Sequence, residues 1–193
     1  MLSLNTKKNT KKNTQLEYLQ VYYPDTLLQS IKHNQDITNI SNVINIYKNQ
    51  PKIIIQNAKA KLYLITMTDP DAPNGVKRTL TNSTQTQQQK NHTYTHWVYL
   101  QDMRKKNNNT SNKSQTAQII IPYAPPTPPY GIHRYQFKIY DVTNVSQTIL
   151  DTLKNKINNI NAPDRNIYYR NNLKKLIKYK INTLFQYKVN SGN

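Results

Sequence analysis

The chain has 193 residues, with 27 Lys and Arg against 9 Asp and Glu for a formal charge of +18, and with 27 Asn, ten Pro, three Gly and no Cys. A domain takes roughly 100 to 200 residues, so this length predicts one domain around one core, and the lack of cysteine excludes a disulfide-stapled module, a thiol nucleophile and a thiolate metal site. The charge favours anionic partners such as nucleic acid, acidic lipid headgroups or phosphorylated ligands, but the lysines are spread along the chain and, like Asn, have AT-rich codons, so base composition alone can produce the excess.

In chain order, Met1 to Thr14 repeats TKKN without an apolar anchor and is expected to be a disordered basic tail, residues 1–14. No run of roughly 18 apolar residues could span a bilayer. The start lacks a charged stretch leading into an apolar one, and the first arginine is Arg78, so neither a secretory signal nor a mitochondrial presequence is expected. The protein is expected in the cytoplasm, and the AT bias hints at a virus or a protist, which in the viral case means the host cell or the virion.

From Leu16 to Ile46 short apolar pieces (Leu16, Leu19, Val21, Tyr23, then Ile37 to Ile46) stand between turn formers, and both short strands and a single helical turn fit them. Ile53 to Ile55, Leu62 to Met67, His96 to Leu100 and Ile119 to Ile121 are continuous apolar or β-branched runs, as expected of strands covered on both faces. Residues 79–93 and 104–116, almost wholly Asn, Gln, Thr, Ser and Lys, read as polar surface loops inserted between strands. Arg134 to Val142 alternates, with Tyr135, Phe137 and Ile139 on one face; Thr183 to Val189 does the same with Phe185, Tyr187 and Val189. Helical spacing appears only late, in Ile149 to Ile160 and in Tyr169 to Ile177 after the Pro163-Asp164 start. The sum is a mainly β domain over residues 15–193, a sandwich with late helices.

Residues able to do chemistry are few. Asp69-Pro70-Asp71-Ala72-Pro73 ends one predicted strand, His96 opens the next, and His133-Arg134 opens the alternating strand after a loop that holds five of the ten prolines. If these three strands are neighbours, Asp69, His96 and His133 converge at one end of the sheet. Pro70 and Pro73 restrict the backbone around Asp71, and Pro122, Pro125, Pro126, Pro128 and Pro129 hold the approach to His133 extended, leaving little freedom to lose on binding. Gly131, in a chain where Asn serves most turns, is expected at positive φ or at a close backbone approach.

Met67-Thr-Asp-Pro-Asp-Ala-Pro73, Thr95-His-Trp-Val-Tyr99 and Tyr123-Ala-Pro-Pro-Thr-Pro-Pro-Tyr-Gly-Ile-His-Arg-Tyr135 resemble, in this order, the three motif segments of the phosphatidylethanolamine-binding protein family, which includes the Raf kinase inhibitor proteins. The resemblance covers roughly Val21 to Val189 and extends to a terminal helix followed by a strand with an aromatic pair, Phe185 and Tyr187. It implies an antiparallel β-sandwich with Greek-key connections and flanking C-terminal helices, and a small pocket for phosphate-like anions lined by Asp69, His96, His133 and Tyr135. It further implies Tyr94 where the family often has Trp, and an Asp71–Arg134 ion pair tying two motif loops together. The family is not known as one of enzymes, so no catalytic residue and no cofactor are expected. Pro125 departs from the pattern: it stands where the family often offers a backbone N–H, and a proline has none.

Two imidazoles, a phenol and nearby amides suit a phosphate group, with Asp69 keeping a histidine protonated or fixing its tautomer. On that basis phosphate binding is expected to tighten as pH falls through histidine pKa values near 6 to 7. Two His and one Asp is also a facial metal set, but neither histidine has an acid two residues on. No G-x-S-x-G elbow, P-loop or dinucleotide fingerprint is present. Nucleic-acid binding, raised by charge alone, would rest on Tyr168 to Tyr187, which the resemblance explains as terminal helix and strand, so only nonspecific binding is expected. The expected function is non-catalytic binding of phosphate-bearing ligands such as phospholipid headgroups, with an anionic membrane surface as a further partner; the alternative is a regulatory protein that inhibits or scaffolds a kinase or protease.

Overall fold

The computed structural model describes residues 16–23, 35–37, 47–73, 92–104, 116–129, 131–154, 165–166, 176 and 179–190. The expected tail, nearly all of both polar inserts, and most residues expected to form the late helices lie outside these.

Eight strands are described: β1 (Tyr18–Tyr22), β2 (Gln35–Ile37), β3 (Lys52–Gln56), β4 (Leu62–Asp69), β5 (Tyr94–Asp102), β6 (Thr116–Ile121), β7 (Ile132–Asp141) and β8 (Lys180–Asn190), with one helix, α1 (Gln147–Lys154). β1 and β3 form a two-stranded antiparallel sheet, and the other six form a sheet in the order β2-β8-β7-β4-β5-β6. The expected antiparallel sandwich is present, with β2 running parallel to β8 as an addition to it.

Two cores account for the two sequence patterns. On one face of the large sheet Tyr63, Ile65, Met67, Trp97, Tyr99, Tyr135, Phe137, Ile139, Phe185, Tyr187 and Val189 pack against Leu19, Val21, Ile53 and Ile55 of the small one. The opposite face, with Leu64, Val98, Leu100, Ile120, Ile121 and Tyr140, is covered by Leu150 and Leu153 of α1 and by Leu176. β4 and β5 are therefore buried at nearly every position and carry long apolar runs, because each of their faces meets a layer. β7 alternates as expected, with Arg134, Gln136 and Lys138 only half-buried.

Two apolar runs are not covered on both faces as expected. β3 has only β1 beside it, and Ile54 is half-buried on its outer side. β6 ends the large sheet, and Ile119 is 55% exposed there. An uninterrupted Ile run marks high strand propensity but says nothing about which layers are available to cover it.

Candidate functional site

β4 sits between β7 and β5, and both neighbours run opposite to it. Its C-terminal residue Asp69 therefore meets the residues that open the other two strands. Tyr94 is the cross-strand partner of Asp69, and His133 Nδ1 lies 2.6 Å from Asp69 Oδ2, with both side chains buried. Continuing the alternation of Met67 and Phe137, Asp69, His133 and Tyr135 all belong to the face that packs on the small sheet.

His96 reaches that face by a local irregularity. Met67 pairs with Trp97 and Thr68 pairs with Thr95, so one residue, His96, is extra on β5. A bulge of this kind bends the strand and re-aims a side chain. Trp97 and Tyr99 then face the inter-sheet core, while Tyr94 and His96, three residues and one residue before Trp97, face the same way and not the opposite one. His96 packs edge-on between two phenols, with ring centroids 4.7 Å from Tyr94 and 5.1 Å from Tyr135.

The loops hold this arrangement from outside. Asp69 Oδ1 accepts the Asp71 amide at 2.8 Å, closing the turn after β4. Asp71 in turn receives Arg134 through Nε at 2.8 Å, Nη2 at 2.7 Å and the backbone N–H at 3.0 Å. This forked pair joins the turn to the start of β7. Gly131 adopts φ 77°, a value that suits glycine, and the Ala72-Pro73 peptide is cis. On the proline side, the Ala124 N–H donates to the His96 carbonyl at 2.8 Å, and His96 Nδ1–H donates to the Ala124 carbonyl at 2.8 Å. Ala124 and Pro125 thus give no amide N–H to the site, one because it is spent on His96 and the other because it has none.

Between these elements lies a cavity of about 280 Å³. Among the described residues Asp69, Ala72, Pro73, Tyr94, His96, Ala124, Pro125, Thr127, Pro128, Pro129, His133 and Tyr135 line it. That volume is just under the usual range for ligand sites, about 300 to 1,000 Å³, and suits a small molecule. The rim is mostly proline and alanine, and the floor carries the two imidazoles and two phenols. Asp69, the carboxylate among the described lining residues, is already taken by His133 and the Asp71 amide.

Burial controls protonation here. His96 is pulled down to about 4, chiefly by burial, with Arg165 and His133 also lowering it and the Ala124 carbonyl and Asp69 opposing them. The expectation of a histidine titrating near 6 to 7 therefore fails for His96, which is neutral at physiological pH. Tyr135 is pushed up by burial and then by Asp69, so its phenol keeps its proton.

One residue that sequence reasoning passed over completes the site. Arg165 is buried and its Nη1 donates to three carbonyls, those of Thr95 at 3.0 Å, His96 at 3.1 Å and Pro122 at 3.1 Å; Nη2 also reaches the Pro122 carbonyl at 3.1 Å. Its guanidinium carbon also stands 5.8 Å from the centre of the Tyr94 ring. It therefore fastens the bulge to the proline loop. The available signal was its type: in a chain with 22 Lys, only five cations are Arg, and a fork of donors is what lysine cannot supply. Among the described residues no group of three His, Cys, Asp or Glu side chains is arranged to hold a metal ion.

The family model for phosphatidylethanolamine-binding protein matches residues 29–189. The chain belongs to that family. Solved structures agree on the fold. The chain is similar to a carboxypeptidase Y inhibitor complexed with its cognate proteinase, at 18% identity over 91% of this chain and 84% of that one, with a TM-score of 0.54. It is likewise similar to a phosphatidylethanolamine-binding protein from Plasmodium vivax, at 13% identity over 95% of this chain and 91% of that one, again with a TM-score of 0.54. In this phosphatidylethanolamine-binding protein family member the three recognised motif segments supply, respectively, the Asp69 turn, the bulged start of β5, and the proline wall with His133.

Proposed function

We infer that the protein is a non-catalytic binder of phosphate-bearing ligands such as phospholipid headgroups, held in the cavity at the end of β4, β5 and β7. The observation that carries this reading is the buried His133–Asp69 pair, 2.6 Å apart, facing a small cavity beside His96. Pairing with Asp69 places a His133 hydrogen on Nδ1 and fixes the ring's orientation, while the carboxylate is kept from repelling an anion by the bonds it already makes. Tyr94 and Tyr135, which line the same cavity, add hydroxyl donors. Arg165 stands behind the site as a buried positive charge, which in a low-dielectric surrounding favours a bound anion. Pocket size and the absence of a nucleophile-and-base pair among these residues support binding rather than turnover.

Titration calorimetry with phosphoethanolamine tests the reading. Wild type is expected to bind, and His133→Ala, checked for folding by circular dichroism, to bind at least tenfold more weakly. No binding of phosphoethanolamine or inorganic phosphate by folded wild type overturns it.

A second reading, inhibition or scaffolding of a kinase or protease, is favoured by the similarly folded inhibitor that was solved on its proteinase. It predicts a discrete protein recovered by affinity capture and competed off by mutation of residues at the cavity rim.

A further inference from the structure

Resting on the reading above, the state of His96 narrows the ligand class. Nδ1 of His96 lies 2.8 Å from the Ala124 carbonyl, an atom that can only accept, so Nδ1 carries a hydrogen in every protonation state. In the neutral ring the lone pair is then on Nε2. We propose that the cavity selects a phosphate monoester over a diester, because a monoester carries a proton of its own that it can donate to His96 Nε2.

The groups around His96 all bear on this proton. From β5, Tyr94 packs against the ring; from β7, Tyr135 packs on the other side and His133 contributes positive potential; from β4, Asp69 contributes negative potential; behind it stands Arg165. The net effect, dominated by burial, keeps His96 neutral down to a pH of about 4. A phosphodiester or a sulfate ester has only acceptor oxygens. To sit against Nε2 it must either face a lone pair or wait for His96 to be protonated, which at pH 7 is the state of roughly one molecule in a thousand. A phosphate monoester, with a second pKa near 6, holds the needed proton in about one molecule in ten at the same pH. For equal contacts elsewhere, the monoester is favoured on the order of 100-fold at pH 7.

The two classes also respond differently to pH. Monoester affinity rises as pH falls from 8 towards 6 and then levels off, because the ligand becomes fully monoprotonated. Diester affinity keeps rising, about tenfold per unit, down to pH 5, because it follows His96. The proline wall cannot compensate, since Ala124 and Pro125 bring no amide donor.

The test uses the unmodified protein. Methyl phosphate and dihexanoyl phosphatidate serve as small and lipid-borne monoesters, dimethyl phosphate as a diester, and methyl sulfate as a size-matched ester; neither of the last two has an N–H or O–H to give to Nε2. Each is titrated calorimetrically from pH 8 to pH 5. The expected result is tight binding of a monoester, binding of the diester and sulfate weaker by about two orders of magnitude at pH 7, and a gap that narrows to about tenfold at pH 5. Whichever monoester binds more tightly names the source of the group. Diester or sulfate binding equal to monoester binding, with a shared pH profile, overturns the proton rule and leaves the anion site standing. Binding of none of the four overturns both.

Discussion

Arginine is used sparingly in this chain, and each described arginine makes a contact that needs its fork. Arg104 clasps Asp102 through Nε and Nη2 at 2.9 and 2.8 Å, Arg134 clasps Asp71, and Arg165 gathers three carbonyls. A lysine at position 134 would keep the charge and lose the two parallel bonds. Arg134→Lys is therefore expected to cost about 1 kcal/mol, since the pair is partly exposed, read as a lower urea midpoint at unchanged slope. At this scale the sequence was a good guide to which side chains come together and a poor one to their protonation. Asp69, His96 and His133 could be placed together because each stands where a strand meets a loop. The low value at His96 could not be foreseen, because it depends on how many neighbours displace water from the ring. Arg165 was missed because nothing within a few residues of it speaks of the site; its partners are about 40 to 70 positions away in the chain.

Among the elements, β4 and β5 were legible as doubly covered strands because long apolar runs of that kind have few other uses. β3 and β6 looked alike in sequence and differ only in position, one in a two-stranded sheet and one at an edge, which strand order decides and local pattern does not. The proline segment was legible as extended and stiff. What fixes it to β5 is the reciprocal pair of bonds between His96 and Ala124, together with Arg165. Arg165→Met is expected to take a donor from three carbonyls, of which that of His96 keeps the Ala124 N–H, and to cost about 2 to 3 kcal/mol, measured by chemical denaturation. It should also raise the pKa of His96 in an NMR titration, because the neighbouring cation is removed. A merely structural role for Arg165 would lower stability without moving that pKa.

For the molecule as a whole, His96 links folding to pH. Its folded value, about 4, is below the 6.5 of a free imidazole, so the unfolded chain binds the extra proton between these values. The contribution is fully present above about pH 6.5 and is lost as pH falls towards 4, on the order of 3 kcal/mol over that window. Wild type should lose about that much more stability than His96→Gln between pH 7 and pH 4, by denaturant unfolding at each pH. The charge of +18 acts at longer range. It is expected to speed association with anionic vesicles at low salt. Any binding to nucleic acid should vanish above roughly 150 mM salt in a filter-binding assay.

The extra residue in β5 sets how the site could be lost or gained. Removal of the Thr95 codon would bring His96 into the cross-strand place opposite Thr68 and leave Trp97 opposite Met67 undisturbed. The imidazole would then point to the helix-covered side, with Tyr94 still facing Asp69. The sheet would keep its pairs and the cavity would lose a wall. A binding member of this fold and a silent one can thus differ by a single three-base deletion, with no substitution at any residue that lines the cavity.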